Sequence, residues 1–181
     1  MAEDWLYQIT LEKIADIHSL NPVKLYEFKG KIAIPALLAA GTNEIQIDIV
    51  AADTEKKIII LSEAKGWLTF PGASECAEQL TMKLFHLRYY LNDSLGNRSC
   101  QVINAEDLKE YQIVQYVALG SYTGDNYSNA KCSSVSELKI RLDHYGKYMH
   151  HFGRSHIGIL LFADKDTEPV FRRAILQNWI E

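Results

Sequence analysis

The sequence predicts an α/β fold with a mixed central sheet flanked by helices, and three observations carry that prediction. Glu44-Ile45-Gln46-Ile47-Asp48-Ile49-Val50 alternates strictly, and after a short polar gap Lys57 to Lys65 is rich in β-branched residues, so two neighbouring strands are expected. Ala73 to Leu91 carries Cys76, Leu80, Leu84, Leu87 and Leu91 at spacings of three and four, the pattern of a long amphipathic helix. Ile157-Gly158-Ile159-Leu160-Leu161-Phe162-Ala163 is almost continuously apolar, as a strand covered on both faces in the middle of an α/β sheet must be.

The elements follow in order. Trp5 to Leu20 sets Leu6, Ile9, Ile14 and Ile17 opposite Glu12, Lys13 and Asp16, which predicts a helix stopped by Asn21-Pro22. From Lys24 to Leu38, Tyr26 and Phe28, then Ile32 and Ile34, alternate ahead of Pro35, which suits a strand or ribbon. Asp53-Thr54-Glu55-Lys56 has the polarity and length of a hairpin turn. A loop over Thr54 to Lys57 sets Asp53 opposite Ile58, Val50 opposite Leu61 and Asp48 opposite Glu63. After Gly66, Pro71 and Gly72, Ser74 is the expected cap of the second helix. Tyr111 to Leu119 reads as a strand, Gly120 to Ser136 as a Ser-, Asn-, Gly- and Tyr-rich loop, and Ser136 to Phe152 as a helix with Leu138, Leu142, Tyr145 and Met149 on one stripe. A last helix is expected over about Pro169 to Trp179.

Composition sets the frame for function. The chain has 181 residues, and one domain spanning 1–181 is the default at this length. Such a chain buries roughly 70% of its unfolded surface and needs no staples. Cys76, Cys100 and Cys132 are odd in number and form no C-x-x-C pair, so neither a disulfide framework nor structural zinc is indicated and a reducing compartment is expected. Nineteen basic against twenty-three acidic side chains leave a net charge of -4, so any nucleic acid needs a local basic patch. Glu3, Asp4 and Glu12 precede the first basic residue, Lys13, so no secretory signal is expected. The longest apolar run, Ile32 to Ala40, falls short of a membrane span of about twenty residues. A cytoplasmic protein with no membrane partner is the expectation.

The hairpin register concentrates charge. Asp48 and Glu63 share one face, and period two puts Lys65 on the side of Glu63 while Ser62 and Ala64 point away. Two carboxylates about 5 Å apart repel by roughly 3 kcal/mol at an effective dielectric of about 20, so stability alone does not favour them. A divalent cation between them reverses the sign, and oxygen ligands with open positions suit Mg²⁺ or Mn²⁺. A lysine one step along can orient or deprotonate a water, or stabilise charge on a phosphorus centre.

Asp48, followed fifteen residues later by Glu63-Ala64-Lys65 at the end of an apolar strand, resembles the PD-(D/E)xK nuclease superfamily. That resemblance implies a restriction-endonuclease-like fold, whose αβββαβ core corresponds to Trp5 to Leu119, about the first two thirds of the chain, with a C-terminal helix-strand-helix extension. It implies Asp48 and Glu63 as metal ligands, Lys65 as catalytic lysine, Mg²⁺ or Mn²⁺ as cofactor, and hydrolysis of nucleic acid, DNA in the first place. Some branches add a carboxylate from the first helix, for which Glu12 is the best-placed residue. The sequence departs from the pattern at Ile47, where the motif's name has proline, and at Lys83, four residues after Gln79, where other branches have tyrosine. The competing expectation is a non-catalytic accessory or interaction module of a mobile-element or defence system on the same fold, with a homodimer or a partner protein subunit left open.

Two weaker signals remain. Lys139, Arg141, Lys147 and Arg154 gather positive charge on and after the third helix, against Asp143, and are the expected nucleic-acid contacts. Tyr122 to Tyr127 is a loop able to stack bases. His144, His150 and His151 lack a metal-binding spacing, and the cysteines lack a nearby His-Asp arrangement for nucleophilic chemistry.

Overall fold

The computed structural model describes residues 4–22, 25–27, 34–35, 44–45, 48–66, 68, 70–92, 107–120, 134–163 and 166–178. Along the chain they form α1 (Asp4–Ile17), β1 (Tyr26–Glu27), β2 (Ile34–Pro35), β3 (Glu44–Ile45), β4 (Ile49–Asp53), β5 (Ile58–Lys65), α2 (Phe70–Asn92), a 3₁₀ turn (Asp107–Glu110), β6 (Gln112–Gly120), α3 (Val135–His151), β7 (Gly158–Phe162), β8 (Val170–Arg172) and β9 (Gln177–Asn178). The main sheet is mixed and open, in the order β1-β4-β5-β6-β7-β8. Its left part, β1-β4-β5, is antiparallel; β5, β6 and β7 run parallel; β8 returns antiparallel on β7. The strand β9 pairs with the start of β6 at Gln112 and Ile113, while β7 pairs further along β6. A separate two-stranded ribbon joins β2 and β3.

The hairpin has the register that its turn dictates. Asp53 pairs with Ile58, Val50 with Leu61 and Ile49 with Ser62. The Asp53 Oδ1 accepts the Glu55 and Lys56 amides at 3.0 and 2.8 Å, and Lys57 closes the turn with φ 54°. Alternation along β5 then divides the core. Ile59 and Leu61 face Leu68, Ala73, Cys76 and Leu80 of the α2 side and Leu138, Tyr145 and Met149 of α3. Ile58, Ile60 and Ala64 face Leu6, Ile14 and Ala15 of α1 across the other layer. The five residues of β7 are all buried, as their apolar run requires.

The helices end by mechanisms that differ in part from those expected. The α1 helix stops at Ile17, ahead of Asn21-Pro22, because Ser19 turns left-handed at φ 56° and the Ser19 and Leu20 amides donate back to Asp16 and Ala15 at 3.0 and 2.7 Å. The α2 helix starts at Phe70, not Ser74; Pro71, with no amide hydrogen to satisfy, is tolerated in the first turn. The Ser74 hydroxyl is therefore free of capping and bonds the Tyr148 hydroxyl at 2.6 Å. In α3, Ser134 caps the Glu137 amide at 3.2 Å, and Gly153 at φ 68° ends the helix.

The helix expected over Pro169 to Trp179 is not formed among the described residues of that stretch. They make β8 and β9 instead, because the free edge of β7 and the start of β6 offer backbone partners that an isolated short helix lacks. Val170 and Ala174 are buried while Phe171, Ile175 and Leu176 remain exposed, so no continuous helical stripe is covered. The helix-strand-helix extension is thus helix-strand-strand-strand. No helix among the described residues is long and apolar enough to cross a membrane. The loop from Tyr122 to Tyr127, together with Cys100 and Cys132, lies outside the described residues.

Candidate active site

The β4-β5 pairing ends at Ile49 and Ser62, and Asp48 follows one residue outside it. There the chain makes a reciprocal clasp. The Asp48 amide donates to Glu63 Oε1 at 3.4 Å, and Asp48 Oδ2 accepts the Ala64 amide at 2.9 Å. The two carboxylates that the sequence sets opposite each other are held together by each other's strand. Their exposures differ sharply: Asp48 is exposed, whereas Glu63 is 1% exposed. Glu63 lies on the α2 side of the sheet, on the face of Ile59 and Leu61.

Lys65 stands two residues on and meets α2. Its Nζ lies 3.3 Å from Glu75 Oε1, which also accepts Gln79 Nε2 at 3.1 Å. Burial works against the ammonium, but the hydrogen bond and charge of Glu75, with a contribution from Asp48, outweigh it and raise the Lys65 pKa above its ordinary value. Lys65 is therefore a cation at neutral pH and is suited to stabilising negative charge, not to taking a proton. The neighbouring Cys76 thiol is pushed far up by burial and by Glu63, so it stays neutral and is no nucleophile.

Glu75 is the member of this cluster that the sequence did not single out. In the string it is one polar position of an amphipathic helix; only the rotation of α2 over β5 brings it to Lys65. The neighbouring strand adds Gln115, beside Leu61 and buried, with neither side-chain polar atom hydrogen-bonded.

Glu12 is not brought to this cluster. It lies on α1, across the sheet from Glu63, accepts Gln8 Nε2 at 3.3 Å and lines a cleft with Asp16, Asp166 and Glu168. Among the described residues no group of three or more His, Cys, Asp or Glu is arranged to hold a metal ion, so the oxygen donors here are the Asp48 and Glu63 pair.

The four expected basic contacts divide. Arg141 is tied down, with Nη1 donating to the Leu68 carbonyl and Nη2 to Glu137 Oε1 at 2.6 Å, so it fastens α3 to the segment after Lys65. Arg154 is half-buried behind the end of α3. Lys139 and Lys147 are exposed and line a groove between α3 and β8, Lys147 pairing with Asp143 at 2.6 Å. Comparison of the chain with protein-family models, with curated proteins and with solved structures finds no significant match in any of the three.

Proposed function

We propose that this protein is a metal-dependent nuclease of the restriction-endonuclease-like kind, hydrolysing phosphodiester bonds, with DNA as the first substrate to test. The observation that carries the reading is the clasp: two carboxylates from adjacent strands each accept an amide from the other's strand, with the Lys65 ammonium close enough to feel the Asp48 charge. With the separate β2-β3 ribbon set aside, the order α1-β1-β4-β5-α2-β6 supports it, since it is that of the αβββαβ core.

The donor set fits a hard divalent cation: Asp48 and Glu63 offer carboxylate oxygens only, and Asp48 is open to solvent. Those two residues would hold Mg²⁺ or Mn²⁺, which supplies Lewis-acid charge at a phosphodiester. The chain does the rest. In hydrolysis a water oxygen joins phosphorus, the ester P–O bond breaks, and the leaving oxygen gains a proton while negative charge builds on the phosphoryl oxygens. Lys65, kept cationic by Glu75, would stabilise that charge.

A second reading, the non-catalytic module, draws on the same residues. Glu63 is buried, each carboxylate already accepts a backbone amide, and Lys65 is paired with Glu75, so the trio can act as a structural clasp at the hairpin's mouth. One experiment separates the two: calorimetric titration with Mn²⁺ beside cleavage of a labelled duplex. The nuclease reading expects one weak Mn²⁺ site lost in Glu63→Gln. It also expects Lys65→Ala to keep that site while turnover falls by about a hundredfold or more. Wild-type protein that neither binds Mn²⁺ nor cleaves DNA or RNA leaves the module reading.

A further inference from the structure

A groove of about 730 Å³ runs between α3 and the edge strand β8. Its helical wall carries Lys139, Lys147, His150 and His151, and its strand wall carries Arg172. Asp143 is the acid among its lining residues, and it is already paired with Lys147. Arg172 reaches across to α3: its Nη1 donates to the Gly146 carbonyl at 2.9 Å, and a Cβ at position 146 would stand 3.0 Å from the same nitrogen. Glycine is the poorest helix former after proline, yet it occupies the middle of α3 where the guanidinium comes close. The apolar spacing over 169–179 sets Arg172 in a helix, whereas β8 sets it opposite α3.

We propose that this groove binds the phosphate backbone of a nucleic acid, at a place distinct from the Asp48 and Glu63 pair. The proposal deepens the nuclease reading and rests on it for the class of polyanion. Charge gives the sign, since a chain of net charge -4 here faces solvent with lysine, arginine and histidine from two elements. Length favours a polymer: Lys139 to Lys147 spans about 12 Å of helix axis, over which one strand of a duplex presents about three to four phosphates. A lone small anion would meet one or two of these cations. Phe171 alternates with Arg172 along β8 and turns its ring to Lys13 of α1, whose Nζ lies 5.8 Å from the centroid, so the ring is directed to the other face of the sheet and the groove offers charge for a backbone. Three strand spacings, about 14 Å, separate β8 from β5, so a bound nucleic acid is held at a second point away from the carboxylates.

The test is fluorescence anisotropy of a labelled duplex in EDTA, with salt varied, so that the carboxylate pair plays no part. Wild type should bind with a steep log-log salt dependence. Lys139→Ala and Lys147→Ala should each weaken binding roughly five- to tenfold near 0.1 M salt and lower the slope by roughly 0.7 to 0.9. Arg172→Gln should do the same, and the two exposed lysines keep the test sound if that variant disturbs the strand. Lys109→Ala, which removes an equal charge from the 3₁₀ turn, should change neither quantity. Absence of binding at low salt, or unaltered slopes in the lysine variants, overturns the proposal. So does displacement of the duplex by inorganic phosphate at constant ionic strength, which marks a lone-anion site. Cleavage assayed separately tells the two readings apart: a dead groove with Glu63-dependent cleavage leaves the nuclease standing, and a working groove without cleavage leaves a binding module.

Discussion

At the scale of the residue, Asp48 does two opposed things. Its carboxylate sits at the hairpin's mouth beside Glu63, where like charges on adjacent strands disfavour the metal-free hairpin, while its Oδ2 satisfies the Ala64 amide. Asp48→Asn removes the charge and keeps an acceptor; Asp48→Ala removes both. In urea unfolding with EDTA, the Asn variant should match or exceed wild type, and the Ala variant should fall below the Asn variant by about 1 kcal/mol. An Asn variant clearly less stable than wild type would make the carboxylate a structural ion. The convergence of Asp48, Glu63 and Lys65 was legible in the string because a turn of known length fixes register and period two fixes the face. Glu75 and Arg172 were not legible. Each reaches its partner across layers, and the rotation of a helix over a sheet is set by packing that no local pattern encodes.

At the scale of the element, two glycines make opposite predictions from the same kind of substitution. Gly158 opens β7 beneath the Tyr116 ring: a Cβ there would stand 2.3 Å from Tyr116 Cε1 and 2.8 Å from the Ala174 amide nitrogen. A buried ring and a backbone cannot step aside, so Gly158→Ala should cost about 3 kcal/mol or more. Gly146 sits mid-helix, and what its Cβ would meet is the flexible tip of Arg172. The gain of up to about 1 kcal/mol in helix propensity then outweighs the shift, and Gly146→Ala should be neutral to stabilising. Chemical denaturation of the two variants checks both signs. The glycines also mark how far elements could be read. Strong local patterns such as β5, α3 and β7 announced themselves; the alternation over 44–50 met β4 only at Ile49 and Val50, with Glu44 and Ile45 in the separate ribbon beside β2; and 169–178 offered apolar residues at spacings that fit either state. There the available sheet edge decided, and it decided for strands.

At the scale of the whole molecule, the three parts most distant in sequence meet at one buried hydrogen-bonded group. The Tyr116 hydroxyl, on the central strand β6, lies 2.9 Å from His18 Nε2 at the end of α1 and accepts the Ala174 amide at 3.0 Å from the segment after β8. His18 is 7% exposed, and burial, helped by the charge of Arg173, lowers its pKa to about 4. Burial raises the Tyr116 pKa, so the phenol stays protonated and cannot share a proton charge with the imidazole. The consequence for folding has a definite sign. Between pH 6.5 and about 4 the unfolded chain protonates His18 and the native state does not, so the unfolded state binds more protons and stability falls as the solution is acidified. The contribution is complete above pH 6.5 and lost toward pH 4. His156 shifts in the same direction through burial and Arg154, and carboxylates titrate nearby, so the measurement must be a difference. His18→Gln keeps a hydrogen-bonding group toward Tyr116 without a titration. The stability of wild type relative to this variant, from urea unfolding at half-unit pH steps, should drop through the window by up to about 3 kcal/mol. A difference that stays level from neutral pH to pH 4 would mean that His18 is charged in the native state and that the junction of α1, β6 and the C-terminal segment is held by something other than a neutral imidazole.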